Sequence, residues 1–232
     1  MVRPERLLLF DIDGTLLRTH GVGRDSTRAA MLEVFGTASD IDTHHFGGKT
    51  DWLTLVEMLQ PHGFTAEMIG QQMPEYERVV EKHIAQIIHT GNAHPCLGAL
   101  ETVQALLGNA RYLLGLVTGN VSTTAPYKLR AAGYDPAWFV VGAYGSEAVD
   151  RNALPALALQ RARVYCGHEL LPQETLVIGD TLADIACARA LGAVAVAVTT
   201  GFTDRDTLAA AQPDYLLESL AELFPLLERR DM

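Results

Sequence analysis

Asp11 and Asp13 follow the apolar run Leu7 to Phe10 and precede Gly14 and Thr15. A short apolar run bounded by turn residues reads as a fully buried strand of a parallel sheet. Side chains alternate along a strand, so both aspartates are expected to point the same way from its carboxyl end, where open α/β sheets bind ligands. Two carboxylates so placed repel by roughly 4 kcal/mol at ~4 Å and an effective dielectric near 20, and a divalent cation is the simplest relief. Asp180 and Asp184 stand where a later apolar run, Thr175 to Ile178, hands over to a helix. Their i, i+4 spacing lets both carboxylates address one point. A small cluster of hard oxygen donors suits magnesium. Thr118, Gly119 and Asn120 end a third apolar run and offer a hydroxyl and free backbone N–H groups at a helix start, which together can cradle a phosphate. Singly, each group has a plainer reading: an Asp-Gly turn, a carboxylate matched to a helix dipole, an asparagine cap. Their conjunction at three strand ends is what points to a site.

The elements that must position these residues alternate. From Pro95 onward the pattern predicts helices over 97–107, 122–132, 154–166 and 183–191, and strands over 112–117, 138–141, 175–178 and 194–198. A short strand over 213–217 and a final helix over 218–227 follow, with a frayed tail at 229–232. Strands alternating with helices argue for a parallel, doubly wound α/β sheet. The stretch from Arg18 to His89 differs, with helical periodicity over 24–35, 52–59 and 66–88 and no strand. Pro74 is expected to divide the last of these into two helices. This block reads as a helical insertion directly after the first strand, bounded by the turn-like segments Thr19-His20-Gly21 and Gly91 to Pro95.

Composition narrows the function classes. The chain has 232 residues, 48% of them hydrophobic, enough for a full core. A net charge of −10 argues against a nucleic-acid partner. Cys96, Cys166 and Cys187 are scattered, which suggests a reducing compartment and neither a disulfide framework nor a zinc site. No HExxH spacing occurs among the histidines. No stretch reads as a signal peptide or approaches the ~20 apolar residues of a membrane span, so a soluble, cytoplasmic protein is expected, with no membrane partner.

The motifs FDIDGTL, LVTGN and VIGDTLADIACARALG resemble the first, second and fourth motifs of the haloacid dehalogenase-like (HAD) hydrolase superfamily, within it the phosphoglycolate phosphatase-like group with a helical cap. The resemblance spans nearly the whole chain. It implies a Rossmann-like HAD core over 1–17 and 93–232 and a helical cap domain over 18–92. It further implies a magnesium-dependent phosphatase for a small phosphorylated metabolite, phosphoglycolate- or sugar-phosphate-like, present as a monomer or homodimer. By resemblance Asp11 would be the nucleophile that becomes an aspartyl phosphate, and Asp13 the general acid and then the base. Thr118 would bind the transferring phosphoryl group, with Gly14, Gly119 and Asn120 nearby. Magnesium would be held by Asp11, the backbone carbonyl of Asp13, and Asp180, with Asp184 in or near its coordination sphere. Carboxylate attack splits one difficult displacement into two easier ones, and most of the gain in phosphoryl transfer comes from positioning and charge stabilisation.

The third motif departs from the family pattern, which places a lysine before a proline ahead of the fourth-motif strand. Here the stretch reads SEAVDRNALPALAL, with Arg151 at the expected lysine. Lys128, after Thr118, is the first candidate for that cationic role and Arg151 the second. Within the insertion, FGGKTD is not a phosphate-binding P-loop, because Thr43 occupies the position of the first glycine and no strand precedes it. In capped relatives such a glycine-rich segment faces the active site, which makes Gly48, Lys49 and Asp51 substrate-contact candidates. The methionine and aromatic residues of 66–88 read as cap core. Competing readings are a phosphomutase of the β-phosphoglucomutase type on the same scaffold, a metal-free dehalogenase, which Asp13 argues against, and a non-catalytic phospho-acceptor or binding module.

Overall fold

Leu7, Leu8, Leu9 and Phe10 are all fully buried, and their alternation divides the protein's interior. Leu8 and Phe10 enter one hydrophobic cluster, Leu7 and Leu9 another on the opposite face of the sheet. The computed structural model describes residues 4–228. In it β1 (Arg6–Phe10) lies between β4 (Tyr112–Val117) and β6 (Thr175–Gly179). The sheet continues to β5 (Val141–Ala143) on one side and to β7 (Val194–Val198) and β8 (Tyr215–Leu217) on the other, in the order β5-β4-β1-β6-β7-β8, with every pairing parallel. β4 repeats the same division, Leu114 and Leu116 facing one cluster and Leu113 and Val117 the other. Helices α4 (Ala99–Leu107), α5 (Ala125–Ala131) and α9 (Leu223–Leu227) contribute to the first face. Helices α6 (Leu154–Cys166), α7 (Leu182–Leu191) and α8 (Arg205–Ala210) contribute to the second. Burying each large aliphatic side chain stabilises by about 1.5–3 kcal/mol, so a strand apolar on both faces has its place only in the middle of such a sandwich.

Between β1 and β4 the chain forms a helical block, α1 (Val22–Phe35), α2 (Asp51–Leu59) and α3 (Ala66–Ile87), with its own hydrophobic cluster. Its entry and exit pair as a two-stranded antiparallel ribbon, β2 (Leu17–Thr19) with β3 (Ala93–Pro95). The expectation of no strand from Arg18 onward is corrected at this ribbon, because the two turn-like boundary segments lie side by side and hydrogen-bond. Pro74 does not divide α3, which runs unbroken for 22 residues. Proline removes one hydrogen bond and crowds the carbonyl four residues back, here that of Gly70. Met73, Tyr76, Val79 and Val80 are buried in the helical block's cluster on either side of Pro74, and that packing holds the helix together.

Elsewhere the boundaries shift. The strand expected at 138–141 is β5 at 141–143, because Pro136–Trp138 form a 3-10 turn capped by the Asp135 side chain. α4 starts two residues later than expected, after Gly98 in a left-handed conformation, and α5 is shorter than 122–132. The final helix is a 3-10 turn, Leu220–Glu222, followed by α9. Helix α8 lies outside the helical segments that the sequence pattern predicts. The tail expected at 229–232 lies outside the described residues. Among those residues, no helix is long and apolar enough to cross a membrane.

Candidate active site

Three acidic side chains meet at the carboxyl ends of β1 and β6. Asp11, Asp180 and Asp184 are all buried, and each offers a carboxylate oxygen within 4.8 Å of the others. Asp180 follows β6 directly, with its Oδ1 accepting from the Thr15 hydroxyl at 3.0 Å and its Oδ2 from the Phe202 amide at 2.8 Å. Gly14 makes room for it. That residue has φ +91°, and a side-chain carbon there would lie 2.5 Å from Asp180 Oδ2, so both the backbone and the space demand glycine. Asp184 lies in the first turn of α7, its Oδ2 accepting from the Thr181 amide at 3.0 Å and hydroxyl at 2.7 Å. The helix cap and the carboxylate cluster thus share one residue.

Arg151 reaches into this cluster from the short turn before α6. Its Nη2 donates to Asp184 Oδ1 at 2.6 Å and lies 3.2 Å from Asp11 Oδ1. Lys128 points inward from α5, but to the other aspartate: its Nζ donates to Asp13 Oδ2 at 2.7 Å and to Asn120 Oδ1 at 2.6 Å. At Asp11 the neighbouring cation is Arg151, while Lys128 lies against Asp13. The cause is topology. α6 packs on the sheet face that carries Asp184, whereas α5 packs on the opposite face.

Burial pushes Asp11 up to about 6, against the pull of Arg151 and with the help of Asp184 and Asp13. Burial, then repulsion from Asp11 and Asp184, pushes Asp180 up to about 8. Burial also works against the charge of Arg151, but Asp184 and Asp11 outweigh it and hold the guanidinium above its ordinary value. One guanidinium among three buried carboxylates leaves a deficit of positive charge. An all-oxygen donor set with that deficit fits a hard divalent cation.

Thr118 and Asn120 stand beyond β4. Asn120 Nδ2 donates to Asp13 Oδ2 and to Thr118 Oγ1, each at 2.7 Å. Asn120 is therefore not a helix cap, and α5 begins only at Ala125. A cavity of about 720 Å³ opens over these groups, walled on the other side by the helical block and lined by Asp11, Asp13, Thr118, Asn120, Lys128 and Arg151. Gly48, Lys49 and Asp51 also line it, and two of them have partners within the protein. Lys49 pairs with Glu57. Asp51 accepts from the Val121 amide at 2.9 Å, and burial pushes its carboxyl up to about 6 against the attraction of Lys128. The main chain around Asp51 is docked on the core: its amide donates to the Gly119 carbonyl at 2.8 Å and that of Trp52 to the Gly145 carbonyl at 3.1 Å. Gly119 permits this approach, since a side-chain carbon there would fall 1.9 Å from the Lys49 carbonyl oxygen.

Sequence reasoning passed over Thr15, Arg24, Leu182 and Phe202. Thr15 stands within the first motif itself, and that was signal enough. Arg24 lines the cavity, donates to the Ile41 and His44 carbonyls and lies against the Phe46 ring. Leu182 and Phe202 are large apolar side chains left 46% and 65% exposed at the cavity's edge, and nothing local in the sequence marks them.

The sequence model of the HAD-hydrolase-like family matches residues 151–223. A phosphoglycolate phosphatase of Synechococcus elongatus is 32% identical over 224 residues, covering 93% of this chain and 94% of the relative. The chain belongs to the HAD-like hydrolases. Within them it falls in the phosphoglycolate phosphatase-like group with a helical cap, and it is an enzyme of the phosphatase class. The pyrophosphatase PpaX of Bacillus mycoides is 29% identical to this HAD-like hydrolase over 237 residues, covering 96% of each chain. The crystal structure of a predicted phosphoglycolate phosphatase from Haemophilus somnus shares its fold, with a TM-score of 0.68 and 21% identity over 98% of this chain and 100% of the other.

Proposed function

We propose that this HAD-like phosphatase hydrolyses a small phosphorylated metabolite in the cytoplasm through an aspartyl-phosphate intermediate on Asp11, with magnesium as cofactor. The observation that carries the reading is the cluster of Asp11, Asp180 and Asp184, with Arg151 against Asp11 and Asp184, beside a cavity that Asp11, Asp13, Thr118 and Arg151 line. Residues 18–92 act as a cap over a core made of residues 1–17 and 93–232.

Asp11 and Asp180, with the main-chain carbonyl of Asp13, would hold the metal, and Asp184 would stand beside them. Bound there, magnesium supplies Lewis-acid charge that lets an anionic nucleophile approach an anionic phosphate. A carboxylate oxygen of Asp11 forms a bond to phosphorus as the ester P–O bond breaks, and the departing oxygen keeps the electron pair and takes a proton from Asp13. Asp13 then takes a proton from the water whose oxygen bonds to the phosphorus of phospho-Asp11, and the Asp11 O–P bond breaks, its electron pair returning to the Asp11 carboxylate as phosphate leaves. Arg151 holds the Asp11 oxygen in line, and the Thr118 hydroxyl faces the transferring group. The docked cap excludes bulk water while the intermediate exists.

Hydrolysis of p-nitrophenyl phosphate by wild type and Asp11→Asn, with and without magnesium, tests the reading. Metal-dependent release of phosphate that the substitution abolishes is expected. Metal-independent turnover, or turnover that survives in Asp11→Asn, would overturn it. Transfer of the phosphoryl group to a second hydroxyl in place of water would make the enzyme a mutase.

A further inference from the structure

We infer that Lys128, with Asn120, is a positioning residue for the acid–base carboxylate Asp13 and not a binding group for the transferring phosphate; the inference rests on the reading above. Asp13, Asn120 and Lys128 close a ring of three hydrogen bonds. Lys128 Nζ donates to Asp13 Oδ2 at 2.7 Å and to Asn120 Oδ1 at 2.6 Å, and Asn120 Nδ2 donates to the same Asp13 oxygen at 2.7 Å. Two donors on one oxygen fix the carboxyl plane. Among the described residues Oδ1 has no hydrogen-bond partner, so it is the oxygen left to exchange a proton with the leaving group and then with water. A lysine side chain carries high rotamer entropy and is almost never buried unless paired. Here it is held 6% exposed on the inward face of α5. The cation beside the nucleophile is already present elsewhere, since Arg151 is the one against Asp11.

The ring also faces the cap across the cavity. Gly23, in the first turn of α1, lies over the ammonium, where a side-chain carbon would sit 3.4 Å from Nζ. Gly23 and Lys128 line the same cavity, at the seam between cap and core. With the cap docked, Lys128 is shielded from water, and its hydrogen bonds to Asp13 and Asn120 are correspondingly stronger. The acid–base group is thus held in its working orientation when the cap is in place.

A positioning role predicts a dependence on the leaving group. Nitrophenolate departs without a proton, whereas benzyl alkoxide needs one, and kcat/KM reports the steps through departure of that group. In Lys128→Met, kcat/KM for benzyl phosphate is expected to fall by about a hundredfold or more, and for p-nitrophenyl phosphate by less than about fivefold. Asn120→Ala is expected to show the same selectivity, smaller in size. Inhibition by inorganic phosphate should stay near the wild-type level in both. Equal losses on the two esters, or a matching loss of phosphate inhibition, would overturn the inference and return Lys128 to phosphate binding. An unchanged benzyl phosphate rate would also overturn it. Wild type that hydrolyses neither ester would overturn both this inference and the phosphatase mechanism, whereas equal losses leave that mechanism standing.

Discussion

Arg151 is the residue on which the site's charge balance turns. It is 7% exposed, and its Nη2 alone touches both Asp184 and Asp11. Because one nitrogen makes both contacts, Arg151→Lys can keep the bridge. Arg151→Gln cannot. It leaves three buried carboxylates without a cation, which costs about 3–5 kcal/mol of stability when one partner of a buried pair is removed. Loss of a charge-stabilising donor at the reacting centre lowers kcat by about 10²–10³. Urea unfolding and steady-state kinetics on both variants check this. The expectation fails if Arg151→Gln retains wild-type kcat, or if Arg151→Lys is as impaired as Arg151→Gln.

At the scale of elements, main-chain and side-chain hydrogen bonds together hold the helical block on the loops of the sheet. The amides of Asp51 and Trp52, at the start of α2, donate to carbonyls of the loops after β4 and β5. The Thr50 hydroxyl donates to the Val149 carbonyl at 3.0 Å, and Val121 of the β4–α5 loop is buried in the helical block's own cluster. This seam has no room for a methyl group at Gly119, where the nearest atom would be the Lys49 carbonyl oxygen at 1.9 Å. Gly119→Ala must therefore displace the 49–52 segment. With the two sheet-face clusters untouched, the core should still fold. Misplacement of about 1 Å at a catalytic centre can cost about a hundredfold, and a loss of that order in kcat/KM is expected here. Small-angle scattering should show a more open particle. An enzyme with native scattering and native activity would mean that the cap tolerates the displacement.

For the molecule as a whole, the acidic centre couples stability to pH and metal. Asp11 is held up at about 6 and Asp180 at about 8, both mainly by burial and above their ordinary value of 3.8. Groups whose folded value is raised stabilise fully below the unfolded value, and that contribution is lost as pH rises toward the folded value. The metal-free protein should therefore lose stability between about pH 4 and pH 8. A divalent cation replaces the missing protons, so its stabilising effect grows as the protons leave. Thermal unfolding with magnesium chloride or with EDTA, at pH 6 and at pH 8, should show a larger rise in Tm from magnesium at pH 8. An equal rise at both values would separate the metal from these carboxylates.

What the sequence determined by itself was local. The apolar run Leu7 to Phe10 ending in Asp11 could only be a central strand, since a segment apolar on both faces is stable only between two packed layers. The alternation after Pro95 specified a parallel sheet, and the Asp180–Asp184 spacing put both carboxylates in one turn. The helical block was legible from its 3.6-residue rhythm. Its internal course was not, because the penalty for Pro74 is local while the packing that keeps α3 whole comes from α1 and α2. The ribbon of β2 and β3 was hidden for a similar reason: three-residue strands carry too little pattern, and their pairing exists only once both ends of the insertion meet. The partners of Arg151 and Lys128 were decided by tertiary structure alone. A long cationic side chain can reach several carboxylates, and which one it meets depends on which face of the sheet its helix covers.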